Sequence, residues 1–159
     1  MELEFDVKVN TSILYDYMLH HNFTSFSGIF GTVVGALFIV AFGLNSNWYF
    51  LIAGLIIIIY MPWTLFLRAK KQALTNPAFK KPLHYKMTHE GVTVSQEEFE
   101  EFKEWNAMVK ANSTSRSLFL YTSKVNAWIF PKKDLGDKKD SVIEMISTHV
   151  SPDKVKIKQ

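Results

Sequence analysis

The chain has 159 residues, a net charge of +3 and no cysteine. That length allows one small folded unit beside any membrane segment. The missing cysteines exclude a disulfide framework and thiolate metal sites, and so modest a charge gives no electrostatic case for a nucleic-acid partner. Mean hydropathy is near zero, +0.03, only because a very apolar stretch is averaged with a polar remainder.

Near the N-terminus, Leu3, Phe5, Val7 and Val9 alternate with Glu4, Asp6 and Lys8, the period of a half-buried strand. Nothing nearby offers a sheet, so this strand is expected to pair with strands that follow the apolar stretch. The acidic start lacks a basic n-region, so no cleavable signal peptide is expected. Asn10, Thr11 or Ser12 can cap a helix in which Ile13, Leu14, Tyr17, Met18 and His21 share one face. This short amphipathic helix is expected to lie on the cytoplasmic membrane surface.

Tyr17 to Leu67 contains no Asp, Glu, Lys or Arg. Within it, apolar runs at 26–43 and 48–67 flank the turn Leu44-Asn45-Ser46-Asn47. Each run reaches roughly 27–30 Å as a helix, against a hydrocarbon core of about 30 Å, and lipid leaves the backbone no alternative to helix here. The pair reads as a transmembrane hairpin in a lipid bilayer. Gly31 and Gly35 have small-xxx-small spacing, which lets helices approach closely; the expected neighbour is the second helix near Ala53 and Gly54, with a homo-oligomer as the alternative. Trp48 and Tyr49, then Tyr60 and Trp63, fit interfacial belts, and Pro62 is placed in the last turns of the second helix. Arg68, Lys70 and Lys71 follow at once, whereas the turn is uncharged. The positive-inside rule then predicts both termini in the cytoplasm.

Residues 68–82 read as a basic connector in which Asn76-Pro77 and Pro82 break any long helix. From Leu83 the pattern changes to period two. One strand carries His84, Lys86 and Thr88 opposite Tyr85, Met87 and His89; Glu90-Gly91 turns the chain, and Val92 and Val94 alternate in the next. Phe99–Trp105 is compatible with helix or strand. Two further strands, 116–122 and 125–130, form a hairpin across Ser123-Lys124. Leu135, Val142, Ile143, Ile146 and Val150 then make a helical stripe capped by Asp137 or Asp140. The alternating tail Val155-Lys156-Ile157-Lys158 adds an edge strand. The chain divides into 1–25, the hairpin at 26–67, the connector at 68–82 and a β-rich domain at 83–159. The fold class is membrane α+β: a two-helix hairpin plus a small antiparallel β-barrel or sheet, of pleckstrin-homology-like type, closed by a C-terminal helix.

The strand–helix–hairpin start and Asn76-Pro77-Ala78-Phe79-Lys80-Lys81-Pro82 resemble the YcxB-like family of bacterial membrane proteins. So do Glu90-Gly91-Val92-Thr93-Val94, the Trp105 region, Leu120-Tyr121-Thr122-Ser123 and the run from Ala127 to Leu135. The resemblance implies a bacterial cytoplasmic-membrane origin and a pleckstrin-homology-like C-terminal domain. It implies no assigned activity, so no catalytic residue is carried over.

The residues themselves argue for binding rather than catalysis. His20 and His21 are adjacent on a helix, His84 and His89 fall on opposite strand faces, and His149 stands alone, so no metal or other cofactor is expected. Glu97, Glu98, Glu100, Glu101 and Glu104 form an acidic cluster that reads as a solvated face. The basic group Arg68, Lys70, Lys71, Lys80, Lys81 and Lys86 can contact anionic headgroups. The expected function is a non-enzymatic, membrane-anchored module binding a protein or lipid at the inner leaflet. The rival expectation is immunity against a membrane-active peptide or toxin.

Overall fold

A computed structural model describes residues 2–97 and 99–157; Glu98 of the acidic cluster and Lys158 of the tail lie outside them. The first strand, β1 (Leu3–Val7), leads into α1 (Thr11–Phe23), and two long helices follow, α2 (Phe26–Asn45) and α3 (Trp48–Thr75). Four-stranded sheet A is completed after the helices by β2 (Leu83–Met87), β3 (Gly91–Gln96) and β4 (Phe99–Glu104). Sheet B follows as β5 (Lys110–Ser113), β6 (Ser117–Tyr121) and β7 (Ala127–Pro131). A short turn of helix α4 (Lys132–Leu135), the main C-terminal helix α5 (Lys139–His149) and a brief strand β8 (Val155–Lys156) end the chain.

The N-terminal strand does find its sheet beyond the apolar stretch. β1 pairs antiparallel with β2, from Leu3 opposite Met87 to Val7 opposite Leu83. The helices α1, α2 and α3 are therefore an insertion between two hydrogen-bonded neighbours. Inward-facing Phe5 and Val7 join Tyr85, Met87, Val92, Leu118, Leu120, Phe130 and, from α5, Val142, Met145 and Ile146 in one core. Phe5 stacks on Tyr85 at 5.8 Å, and both meet Phe130 edge-on at 5.4 and 4.9 Å. Offset and edge-on pairs of this kind add to what apolar burial contributes.

The two sheets run β1-β2-β3-β4 and β7-β6-β5-β8 and do not join into a closed barrel. The break comes at Trp105, where the chain leaves β4 in a 3₁₀ turn and the indole N–H donates to Thr88 O at 2.9 Å. Residues 99–104, open between helix and strand in the sequence, form β4 with Glu100 opposite Ser95 and Phe102 opposite Thr93. The tail does add a strand at the edge, but β8 runs parallel to β5. The β6–β7 connection is longer than Ser123-Lys124, spanning 122–126. Asp137 and Asp140 do not cap the last helix: Gly136 takes a φ of 51° in an intervening turn, and Lys138 stands at the N-cap of α5 without a side-chain bond.

Helices α2 and α3 are long and apolar enough to cross a membrane, and only 11% and 6% of their most apolar windows are covered by the rest of the chain. A core helix of a water-soluble fold would be mostly covered, so the pair points to a membrane protein. The turn between them is tight, with Ser46 in the left-handed region at φ 53° and Asn47 capping α3 through Tyr49 N–H. Helix α3 continues through Pro62 and through Arg68–Thr75, stopping where Asn76-Pro77 ends it. Pro62 thus lies mid-helix, and half of the expected connector is helical.

Candidate functional site

Arg68, Lys70 and Lys71 are exposed on α3. Between them Ala69 is fully buried and packs with Val9, Ile13, Leu14, Phe119, Tyr121 and Ile129. The helix end is therefore a wall of the folded unit, with its cations turned outward. Lys80 is exposed after the 3₁₀ turn at Pro77–Phe79. Lys81 is ion-paired to Glu97. Lys86, on the outer face of β2, pairs with Glu2 and Glu4, and hydrogen bonding to Glu2 is the largest cause of its raised pKa. Two of the six predicted cations are thus already ion-paired.

Gly31 and Gly35 face α3. A Cβ on Gly35 would sit 2.7 Å from Ile58 Cγ1 and 3.3 Å from Gly54 O, and one on Gly54 would sit 2.8 Å from Gly35 O. Here the helices touch backbone to backbone, within one chain. At Gly31 the neighbour is Met61 Cε, 3.2 Å from a built Cβ.

Helix α1 does not lie free on a surface. Asn10 caps it by accepting from Ile13 N–H at 3.1 Å. One side packs on α3, with Tyr15 edge-on to Phe66 at 5.5 Å. The other packs on sheet B: Tyr17 and His20 each lie 5.4 Å from the Phe119 ring, Tyr17 OH donates to Val125 O at 2.7 Å, and Thr114 Oγ1 donates to Asp16 Oδ2 at 2.6 Å. Burial raises the pKa of Tyr17 and pushes that of Tyr121 up to about 12.

Where the end of α1 meets β5, β8 and the Pro152–Lys154 turn, a groove of about 940 Å³ opens. Lys110, Lys132, Lys154 and Lys156 line it against one carboxylate, Asp153, with His20, Asn112 and Thr24 also on its wall. Alternation puts Lys110 and Asn112 on the α1 side of β5, and the parallel register sets Lys156 beside Asn112. The Lys110 amine lies 4.4 Å from the Tyr121 ring centroid, within cation–π range. Among the described residues none of these lysines has an ion-pair partner. Burial holds the His20 imidazole below its ordinary pKa, with Lys110 and His21 adding to the fall and Asp16 opposing it. Asn112 is 8% exposed; its Nδ2 is 3.3 Å from His20 Nε2, and its Oδ1 is buried with no hydrogen-bond partner. A buried acceptor left unpaired costs about 1–3 kcal/mol, so this atom is a place where a ligand donor would be welcome. The groove can hold an anion that also carries a donor.

Sequence reasoning missed this site because its lysines come from separate segments between 110 and 156, which only the fold brings together. The available signals were the edge-strand lysine of β8 and the Lys110-Ala111-Asn112 alternation. Elsewhere the acidic residues are largely engaged: Glu101 with Lys103 at 2.9 Å and Glu104 with Asn106 at 2.8 Å. His84 meets Asp6 at 2.8 Å, and His149 stacks on Trp105 at 4.9 Å. Among the described residues no three His, Cys, Asp or Glu side chains are grouped to hold a metal ion.

The family described as YcxB-like protein matches residues 88–146, from the turn before β3 into α5. No curated protein and no solved structure matches the chain. The matched segment contains Lys110, Asn112 and Lys132 but neither the apolar hairpin nor Lys154 and Lys156. Residues 88–146 of this chain are similar to the YcxB-like family.

Proposed function

We propose that this chain is a membrane-tethered, non-enzymatic binding module at the inner leaflet of a bacterial cytoplasmic membrane, with both termini in the cytoplasm, and that it binds a protein or lipid there. The observation that carries the reading is the position of the apolar hairpin. It is inserted between paired strands β1 and β2 and braced by α1 against sheet B, so the β-rich part is fixed relative to the helices rather than hung from a linker. A groove rich in unpaired lysines lies beside Thr24, one residue before the cap of α2. Fixed positive charge there suits holding an anion. The strand order, with β1–β4 in one sheet, β5–β7 in the next and a helix on the core, supports a pleckstrin-homology-like architecture, although such a fold does not by itself name a ligand. Cations at Arg68, Lys70 and Lys71 beside an uncharged turn at Ser46-Asn47 support the orientation.

The absence of cysteine makes the orientation simple to test. In whole cells a membrane-impermeant maleimide should label Ser46→Cys and spare Lys124→Cys; the reverse pattern overturns the orientation. Binding is tested on the full chain in nanodiscs by amide exchange. Anionic lipid should protect residues 109–115 and 152–157 in a salt-reversible way. No added protection at low salt removes the lipid version and leaves a protein partner, to be captured by crosslinking in intact membranes.

A further inference from the structure

We propose that the α1–β5–β8 groove is a specific site for a hydroxyl-bearing phosphate ester, the chemistry of a glycerol-type phospholipid headgroup or of its free soluble counterpart. The inference rests on the reading of the chain as a membrane-surface binding module and names the ligand class of that surface.

Two independent features converge on this chemistry. The first is charge without partners. Lys110, Lys132, Lys154 and Lys156 surround one space with only Asp153 among them. Lysines on unrelated elements, a strand, a helical turn and a second strand, do not repel each other into one groove for the sake of stability. A single phosphate would relieve that repulsion and take charge-assisted hydrogen bonds from several amines. The second is Asn112 Oδ1, buried and unpartnered beside the lysines. An ionised phosphate oxygen cannot satisfy it, because both are acceptors. A hydroxyl on the same ligand can. The groove thus asks for an anion and a donor together, which a hydroxyl-bearing phosphate ester supplies. Its place beside Thr24, next to the start of α2, brings a lipid headgroup within reach without leaving the leaflet.

The test uses the full chain in nanodiscs of phosphatidylcholine doped with phosphatidylglycerol, with native mass spectrometry counting retained anionic lipid. At about fivefold per cation, as for lysines beside an anionic leaflet, Lys132→Ala/Lys154→Ala/Lys156→Ala should weaken retention about a hundredfold. Lys110 is left in place because its amine packs on Tyr121. The control Lys103→Ala/Lys124→Ala/Lys139→Ala removes the same charge outside the groove and should change retention little. Asn112→Val should abolish the preference for phosphatidylglycerol over phosphatidylmethanol, which lacks the hydroxyls. A parallel arm titrates glycerol 3-phosphate into phosphatidylcholine nanodiscs. Saturation there that the groove variant loses, with no lipid retained, assigns the site to the soluble ester.

Equal losses in the groove and control variants, or an unchanged headgroup preference in Asn112→Val, overturn the proposal while leaving a general lipid-binding role standing. Wild-type protein that retains no anionic lipid and ignores glycerol 3-phosphate overturns it together with the lipid version of the broader reading.

Discussion

The insertion of the helices into one folded unit has a sharp consequence at Phe5. This side chain comes before the apolar hairpin, yet it is 5% exposed and packs on Tyr85 and Phe130, which come after it. Truncating a buried phenylalanine to alanine costs about 3–5 kcal/mol through lost burial and an unfilled cavity. A domain of this size has only about 5–15 kcal/mol in total. At about 1.4 kcal/mol per factor of ten, the opening equilibrium of the two sheets should rise roughly two to three and a half orders of magnitude in Phe5→Ala. Amide exchange followed by mass spectrometry, on the full chain in nanodiscs, reads this directly at β2 and at β6–β7. Protection over 83–87 and 117–131 should collapse, although none of those residues is near position 5 in sequence. Phe26→Ala is the comparison: Phe26 is 85% exposed at the start of α2, and its loss should leave the same strands protected. If the two variants exchange alike over those strands, β1 is not part of the unit and the insertion argument fails.

Three further outcomes follow from the geometry. Gly54→Leu drives a side chain into Gly35 O and Ile39, each 2.8 Å from a built Cβ, and overpacking of this kind costs about 1–3 kcal/mol; the melting temperature in detergent should drop, whereas Gly43→Leu, with nothing within 4 Å, should leave it unchanged. Asn10→Ala removes the cap on Ile13 N–H and should cost about 1 kcal/mol, seen as faster exchange in the first turn of α1 without loss at β3. Burial lowers the pKa of His20 and His21 below the ordinary 6.5, with Lys110 adding to the fall in both and Asp16 opposing it at His20. The unfolded chain therefore binds more protons than the folded one just below pH 6.5, so stability is full above that value and declines as pH falls through the window toward the lowered folded pKa; a melting series from neutral to acid should show this, and a His20→Leu/His21→Leu variant should show a flatter slope.

The features legible in the sequence were those encoded by local periodicity or by chain breakers. The Leu3–Val9 alternation demanded a distant sheet, and β2 provides it. Asn76-Pro77 was legible as a breaker, and α3 does stop there, eight residues beyond the Leu67 at which the apolar run ends, because proline constrains its predecessor and lacks the N–H the helical ladder needs. The helical half of the connector was not read because only Ala69 and Ala73, two small residues among cations, turn that part of α3 inward. Strand β5 was invisible for a similar reason: Lys110-Ala111-Asn112-Ser113 has a single apolar residue, and its polar partners are buried by α1, an element from the other end of the chain. The groove inherits that opacity. It exists only because β8 returns parallel to β5, a pairing that no local pattern announces.

The two cation groups differ in what they can do, and the difference lies in how each is held. Arg68, Lys70 and Lys71 project from the exposed side of a helix and keep their side-chain freedom. Ordering each against a phosphate would cost up to about 2 kcal/mol of rotamer entropy, comparable with the about 1 kcal/mol gained per cation near an anionic leaflet, so they are suited to diffuse attraction and to setting orientation. In the groove, Lys110 is held against the Tyr121 ring. Part of its ordering is complete before any ligand arrives, which favours selective binding over diffuse attraction. Helix α1, wedged between α3 and sheet B, keeps these groups in fixed relation. On the proposed reading the first group brings the surface to the leaflet, and the second decides which headgroup stays.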